Sequence, residues 1–370
     1  MELPARRGGP SLAPDAASPR EPRMARRNPK PVDLALQGGG AHGAFTWGVL
    51  DRLLEEEALE FEGVSATSAG AMNAACLKTG LVAGGSREAA RETLDRFWGS
   101  IGRLSRAPTN PLLEWVRAFS PTTSNLADAI EASPGWQVGD TLTRMFSPYD
   151  LNPLNLNPLR DLLADCLEFD AVCRDCLPRL FIGATNVRTG KAKVFKGEEI
   201  SSDAILASAA LPTLFQAVEI EGELYWDGGY TGNPALFPLF YDTATRDVLI
   251  VHINPLERPE APRSSREILN RINEVSFNAS LLAELRAVDF VRRLIAEGRL
   301  ERGTMKDVLI HSIRDDETMR QLGVATKVQA DWTLMNNLKQ AGRDAADGFL
   351  RAHWKDIGRR ASVDLKAMFS

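Results

Sequence analysis

The stretch VDLALQGGGAHGAF, residues 32–45, decides the fold. Residues 32–36 form a short apolar run that predicts a buried strand, and the glycine-rich turn 38–43 follows at once. Apolar residues then recur at helical spacing through residues 44–57, which predicts a helix. A strand that passes through a glycine turn into a helix is the first unit of an α/β fold.

The next segment repeats this order of elements. Residues 61–66 predict a second strand, which breaks at Thr67-Ser68-Ala69-Gly70 into a helix of small residues over 71–77. Strands alternating with helices indicate an α/β fold with a parallel sheet.

Taken alone, the glycine turn fits two kinds of site. Backbone N–H groups at a helix N terminus bind anions, which would suit a phosphate or a nucleotide. The same donors stabilise the oxyanion of an acyl transfer. Gly38, Gly40 and Gly43 satisfy the spacing of a dinucleotide fingerprint, but the second strand ends in Ala66 and Thr67 without an acid, which counts against a dinucleotide.

Ser68 lies in a sharp strand-to-helix turn between very small residues, the pattern of a nucleophile elbow. The elbow needs small residues two positions before and two after the serine, where this chain has Ala66 and Gly70. The alternative is a serine that only caps the following helix.

A nucleophilic serine needs a base to accept its proton. The histidines of the chain are His42, His252, His311 and His353. Only the last two follow the serine at the distance an α/β-hydrolase histidine would, and neither lies in a loop marked by Gly or Pro. Asp227 is the better candidate, because it ends a predicted strand and is followed by Gly228 and Gly229, although Asp-Gly-Gly by itself is only a good turn.

Together these residues resemble the patatin-like phospholipase family. The matching segments, in the family's order, are 38–43, 66–70, 208–212, 227–229 and 233–234. The resemblance covers residues 32–255, which would be the catalytic domain, and residues 256–370 are similar to the helical C-terminal extension of some bacterial members. It implies a three-layer α/β/α fold with a mainly parallel central sheet.

The resemblance implies a lipid acyl hydrolase, either a phospholipase A or a lysophospholipase or esterase, that acts on a lipid or other acyl ester without metal or cofactor. Ser68 would be the nucleophile and Asp227 the general base. The oxyanion hole would be the turn Gly38, Gly39, Gly40 and Ala41, with the N–H groups of the last three as the main donors. The remaining site residues would be Ala66, Thr67, Ala69 and Gly70 in the elbow, and Gly228 and Gly229 after the base.

Two positions depart from the family pattern. Ala66 stands where the elbow usually has Gly, and His42 stands where the glycine turn more often has Arg or Lys. A histidine there is expected to titrate near neutrality. The alternative function is therefore a catalytically impaired member that binds lipid or a protein partner.

Composition excludes several other classes. The chain has 370 residues, a net charge of −5 and four cysteines. It has no run of about 18 apolar residues that would span a membrane, and its mild negative charge argues against nucleic acid. Cys173 and Cys176, with Cys166 nearby, have no second pair to complete a zinc site, so we expect free thiols in a reducing cytoplasm.

Two segments stand apart from the predicted domain. Residues 1–31 are rich in proline, and residues 1–30 carry seven Lys or Arg against three Asp or Glu, which leaves the rest of the chain at −9. We predict a disordered tail that is either a tether to the inner membrane surface or without function, and Met24 is an alternative start. Residues 98–160 predict an irregular helical insertion, either a cap with buried aromatic residues or a lid.

Overall fold

The structure is a computed structural model that describes residues 28–104, 147–301, 303–323, 326–327 and 331–369. Most of the predicted tail (1–27) and the middle of the predicted insertion (105–146) lie outside the described residues.

The strands are β1 (Lys30–Leu36), β2 (Leu59–Thr67), β3 (Arg179–Asn186), β4 (Ala192–Lys196), β5 (Val218–Ile220), β6 (Glu223–Asp227), β7 (Asp247–Val251) and β8 (Leu309–Ile313). The helices are α1 (Gly43–Leu53), α2 (Ala69–Val82), α3 (Arg87–Leu104), α4 (Pro148–Leu151), α5 (Pro158–Cys166), α6 (Phe169–Val172), α7 (Ser202–Ser208), α8 (Phe237–Tyr241), α9 (Ser265–Ala296), α10 (Asp316–Arg320), α11 (Trp332–His353) and α12 (Leu365–Phe369). Short 3-10 turns at Gly40–His42 and Gly228–Tyr230 follow β1 and β6.

All eight strands form one sheet in the order β5-β6-β3-β2-β1-β7-β8, with β4 paired to β3. Strands β3, β2, β1, β7 and β8 run parallel, whereas β4, β5 and β6 are antiparallel to their neighbours. The sheet is therefore mainly parallel at its centre, as predicted.

Helices cover both faces of the sheet. Along β1, Leu34 and Leu36 belong to one apolar core and Ala35 to the other, because successive side chains point to opposite faces. The first core is shared with α1, α2, α3 and α11, and the second with α8 and α9. A central strand buried on both faces is typical of parallel sheets, and the predicted three-layer α/β/α fold is confirmed.

The C-terminal region is mainly helical and packs on the same sheet. Helix α11 lies directly on α1: a Cβ added at Gly342 would be 2.1 Å from the carbonyl oxygen of Phe45. The region also supplies β8, which the sequence pattern did not predict, because His311 and Ser312 interrupt its apolar residues. Strand β8 extends the sheet beyond β7 with buried side chains.

Candidate active site

The glycine turn and the Ser68 turn meet at one edge of the sheet. They follow β1 and β2, which are parallel neighbours, so both turns leave the sheet at its carboxyl end. A Cβ added at Gly38 would lie 2.6 Å from the Cβ of Ser68. Only glycine at position 38 allows this approach.

Ser68 has the strained backbone of an elbow. Its φ of 56° and ψ of −124° place a non-glycine residue in the left-handed half of conformational space, and α2 begins at the next residue. The chain folds back so closely that a Cβ added at Gly70 would be 2.3 Å from the carbonyl oxygen of Leu36. This is the space requirement that the sequence pattern predicts at position 70.

The methyl group of Ala66 fits inside the strand. Ala66 is fully buried and keeps regular parallel pairing with Leu36 on one side and Ile182 on the other. Alanine at this position therefore leaves the end of β2 in register.

Ser208 holds the elbow from the other side. Its Oγ accepts a hydrogen bond from the N–H of Ser68 at 2.9 Å and donates one to the carbonyl oxygen of Gly183 at 2.6 Å. Ser208 begins one of the matching segments, but nothing in the sequence predicts this contact.

Strand β6 brings Asp227 to the same place. Thr67 is paired with Gly183 of β3, and Asp227 is paired with the next residue, Ala184. At these residues β4 pairs with the other edge of β3. Strand β6 therefore pairs with the same edge of β3 as β2 does, and it begins to pair where β2 ends. The Oγ1 of Thr67 donates to the carbonyl oxygen of Gly232 at 2.7 Å, which ties the end of β2 to the loop after Asp227.

The Asp227 carboxylate is fully buried. Its Oδ1 accepts a hydrogen bond from the N–H of Gly229 at 2.7 Å, and its Oδ2 accepts none from the described residues. Burial raises the pKa of Asp227 to about 7, against the opposing effects of the Gly229 N–H, the Ser68 hydroxyl and the positive charge of Lys327. A carboxylate with a pKa near neutrality is suited to accept and return a proton.

The donors of the glycine turn are not equivalent. The N–H of Gly38 donates to Oδ1 of Asn233 at 2.6 Å and is therefore engaged. No described residue accepts a hydrogen bond from the N–H groups of Gly39, which precedes the 3-10 turn, or of Gly40 and Ala41, which begin it. These three groups remain available to an incoming oxygen.

Hydrogen bonds from a cluster of buried amide side chains hold the glycine turn in place. The Oε1 of Gln37 accepts from the N–H groups of Ile253 and Asn254 at 2.8 and 3.0 Å, and its Nε2 donates to Oδ1 of Asn278 at 3.1 Å. The Nδ2 of Asn254 donates to the carbonyl oxygen of Gly38 at 3.0 Å. Sequence reasoning missed this cluster, because its members are far apart in the chain and no local motif links them.

The expectation that His42 titrates near neutrality is wrong. Its ring is buried, and its Nε2 lies 2.7 Å from Oγ1 of Thr326. Burial and the nearby charge of Lys327 hold the pKa of His42 well below 6.5. His42 is therefore neutral at physiological pH.

The other candidate groups lie elsewhere. His311 binds Asp247, the first residue of β7, at the opposite end of the sheet from Ser68. His353 binds Asp356 near the end of α11. All four cysteines are free, and the described residues contain no group of three or more His, Cys, Asp or Glu side chains arranged for a metal ion.

A sequence model of the patatin-like phospholipase family matches residues 34–240, more than half of the chain. This chain belongs to the patatin-like phospholipase family. Its general class is accordingly that of the lipid acyl hydrolases.

A solved structure, VipD from Legionella pneumophila, is similar over 88% of this chain and 67% of that chain, with 15% sequence identity and a TM-score of 0.37. No curated protein matches the chain. Within the described ranges, no helix combines the length and the apolar character that a membrane span requires.

Proposed function

We propose that this protein hydrolyses acyl esters of lipids with a Ser68–Asp227 dyad. The observation that carries the proposal is the buried carboxyl group of Asp227, which interacts with the Ser68 side chain and whose Oδ2 has no hydrogen-bond partner among the described residues. A carboxylate with a free oxygen beside a serine hydroxyl can accept the proton of that hydroxyl as the serine attacks.

In the proposed reaction, Oγ of Ser68 attacks the acyl carbonyl carbon while Asp227 takes the hydroxyl proton. The N–H groups of Gly39, Gly40 and Ala41 donate to the carbonyl oxygen as it becomes negative. When the bond to the alcohol breaks, Asp227 returns the proton to the departing oxygen. A water molecule, deprotonated by Asp227, then attacks the acyl-serine, and the proton passes back to Ser68 as the fatty acid leaves.

The elbow geometry supports the role of Ser68. Its φ of 56° is a strained conformation that a helix-capping serine does not need, and its side chain makes no cap hydrogen bond to α2. This favours the nucleophile over the capping alternative.

The direct test is hydrolysis of a short-chain p-nitrophenyl ester by Ser68→Ala beside a matched control, Ser312→Ala. Ser312 has a buried hydroxyl with no partner among the described residues, and it lies in β8, away from the Ser68 turn. We expect Ser68→Ala to lose activity and Ser312→Ala to keep it. Hydrolysis by Ser68→Ala at the wild-type rate would refute the dyad.

A fluorophosphonate probe separates the enzyme from an impaired binding protein. The probe should label wild-type protein on Ser68 and leave Ser68→Ala unlabelled, because only an activated serine reacts. Failure of the folded wild type to react would favour the binding alternative. A panel of phospholipids, lysophospholipids and neutral glycerides would then define the substrate.

A further inference from the structure

Lys327 lies between the glycine turn and the turn at residues 227–229 that carries the proposed base. Its carbonyl oxygen contacts the glycine turn so closely that a Cβ added at Gly40 would be 2.2 Å from it. Its Nζ lies 5.3 Å from the centre of the Phe277 ring. That ring in turn packs against Gly229, where an added Cβ would be 2.4 Å from Cε1 of Phe277.

Hydrogen bonds hold the ammonium group in this position. The Nζ of Lys327 donates to Oδ1 of Asn254 at 2.8 Å and to Oδ1 of Asn273 at 2.7 Å. Asn254 also donates to the carbonyl oxygen of Gly38, so one amide joins the lysine to the glycine turn. Both acceptors are neutral, which leaves the charge of Lys327 uncompensated by its direct partners.

The surrounding charges leave Asp227 as the anion without a cationic partner of its own. Lys327 is influenced by Glu274 and Asp227, which favour its charged form, and by Arg258, which disfavours it. Glu274 is already paired with Arg258 at 2.6 Å and with Arg271 at 3.1 Å. Among the described residues, no ion pair involves Asp227.

Two further titratable groups of the described residues near this pair, Tyr230 and His42, are neutral. Burial and the negative charge of Asp227 raise the pKa of Tyr230 to about 12, so its phenol is protonated. His42 is uncharged, as described above. Among the described residues, Lys327 is therefore the cation whose charge acts on Asp227.

We propose that Lys327, contributed by the C-terminal region, is a positioning residue whose charge favours the ionised form of Asp227, the form that can accept the proton of Ser68. This inference rests on the proposed dyad and adds the group that tunes its base. Burial holds the pKa of Lys327 itself at about 8, so the lysine is mainly charged at neutral pH.

The test is the pH dependence of kcat/KM for a p-nitrophenyl ester in wild type, Lys327→Met and Lys327→Arg. The acid limb reports the ionisation of Asp227 in the free enzyme. Without the lysine charge, we expect its midpoint to rise by about half a unit to one unit. Lys327→Arg should restore the wild-type midpoint, whereas a purely structural defect would lower the plateau and leave the midpoint in place.

A second variant keeps the lysine and changes its surroundings. Asn273→Asp places a carboxylate beside Nζ, and its negative charge offsets the field of the lysine at Asp227, so the midpoint should move in the same direction. Midpoints that stay within about 0.2 units of wild type in both Lys327→Met and Asn273→Asp would overturn the inference. Ser68→Ala is measured in parallel, because hydrolysis that survives in it refutes the dyad itself, a result distinct from an unshifted midpoint.

Discussion

Replacing Asp227 by Asn should remove activity and stabilise the fold at the same time. Burial raises the pKa of Asp227 from 3.8 to about 7, and each unit corresponds to about 1.4 kcal/mol. The folded protein holds the proton more tightly than the unfolded chain, so stability is lost as the pH rises from 3.8 to about 7. The ionised carboxylate thus costs the fold about 4 kcal/mol above neutrality.

Asparagine has the same shape and no charge. Asp227→Asn should therefore exceed wild type in free energy of unfolding by about 2 kcal/mol at pH 5 and by about 4 kcal/mol at pH 8. Urea unfolding followed by tryptophan fluorescence at the two pH values measures this difference. Ester hydrolysis should fall by about two to four orders of magnitude, because the variant has no general base.

Asp33 provides a matched control. It is also a fully buried aspartate whose pKa burial raises to about 7, but it lies in the middle of β1 and not at the end that leads to the glycine turn. The difference in free energy of unfolding between Asp33→Asn and wild type should grow with rising pH in the same way. The variant should keep its ester hydrolysis. A stability gain of Asp227→Asn that is equal at pH 5 and pH 8 would refute the argument from burial, and retained hydrolysis would refute the role of the base.

Three further predictions concern the surroundings of the site. Ser208→Ala removes the hydrogen bonds from the Ser68 N–H and to the Gly183 carbonyl oxygen. It should therefore cost about 1–3 kcal/mol of stability and lower kcat about tenfold. An unchanged melting temperature and kcat would contradict this prediction. His42→Gln should keep the acid limb of the pH profile within about 0.2 units of wild type, since the ring is already neutral, and a larger shift would mean that His42 titrates. Deletion of residues 1–27 should leave soluble-ester hydrolysis intact and weaken sedimentation with anionic liposomes. Sedimentation equal to that of the full chain would contradict the role of the tail as a membrane tether.

Local pattern alone was enough for the centre of the fold. The first two strand-turn-helix units are found where the pattern indicated, with shifted bounds. Strand β1 begins two residues earlier and β2 is longer at both ends, whereas α1 ends at Leu53, four residues before the predicted end, and α2 continues five residues further. Short apolar runs followed by glycine-rich turns are strong local signals, because both the strand and the turn depend on neighbouring residues. Strand β8 was missed since its place at the sheet edge depends on pairing with β7, a partner distant in sequence.

The candidate site divides along the same line. Ser68, Asp227 and the glycine turn carry local signatures, because an elbow and a tight turn restrict which residues fit. The sequence therefore singled out these residues, and its resemblance to the patatin-like phospholipase family implied their roles as candidate nucleophile, base and oxyanion donors. Only the tertiary structure decided their surroundings. His42 is buried and uncharged, against the expectation from sequence. The N–H of Gly38 is hydrogen-bonded to Asn233, and Lys327 of the C-terminal region lies at the site. Burial and charge proximity arise from contacts between residues hundreds of positions apart, and no local pattern records them.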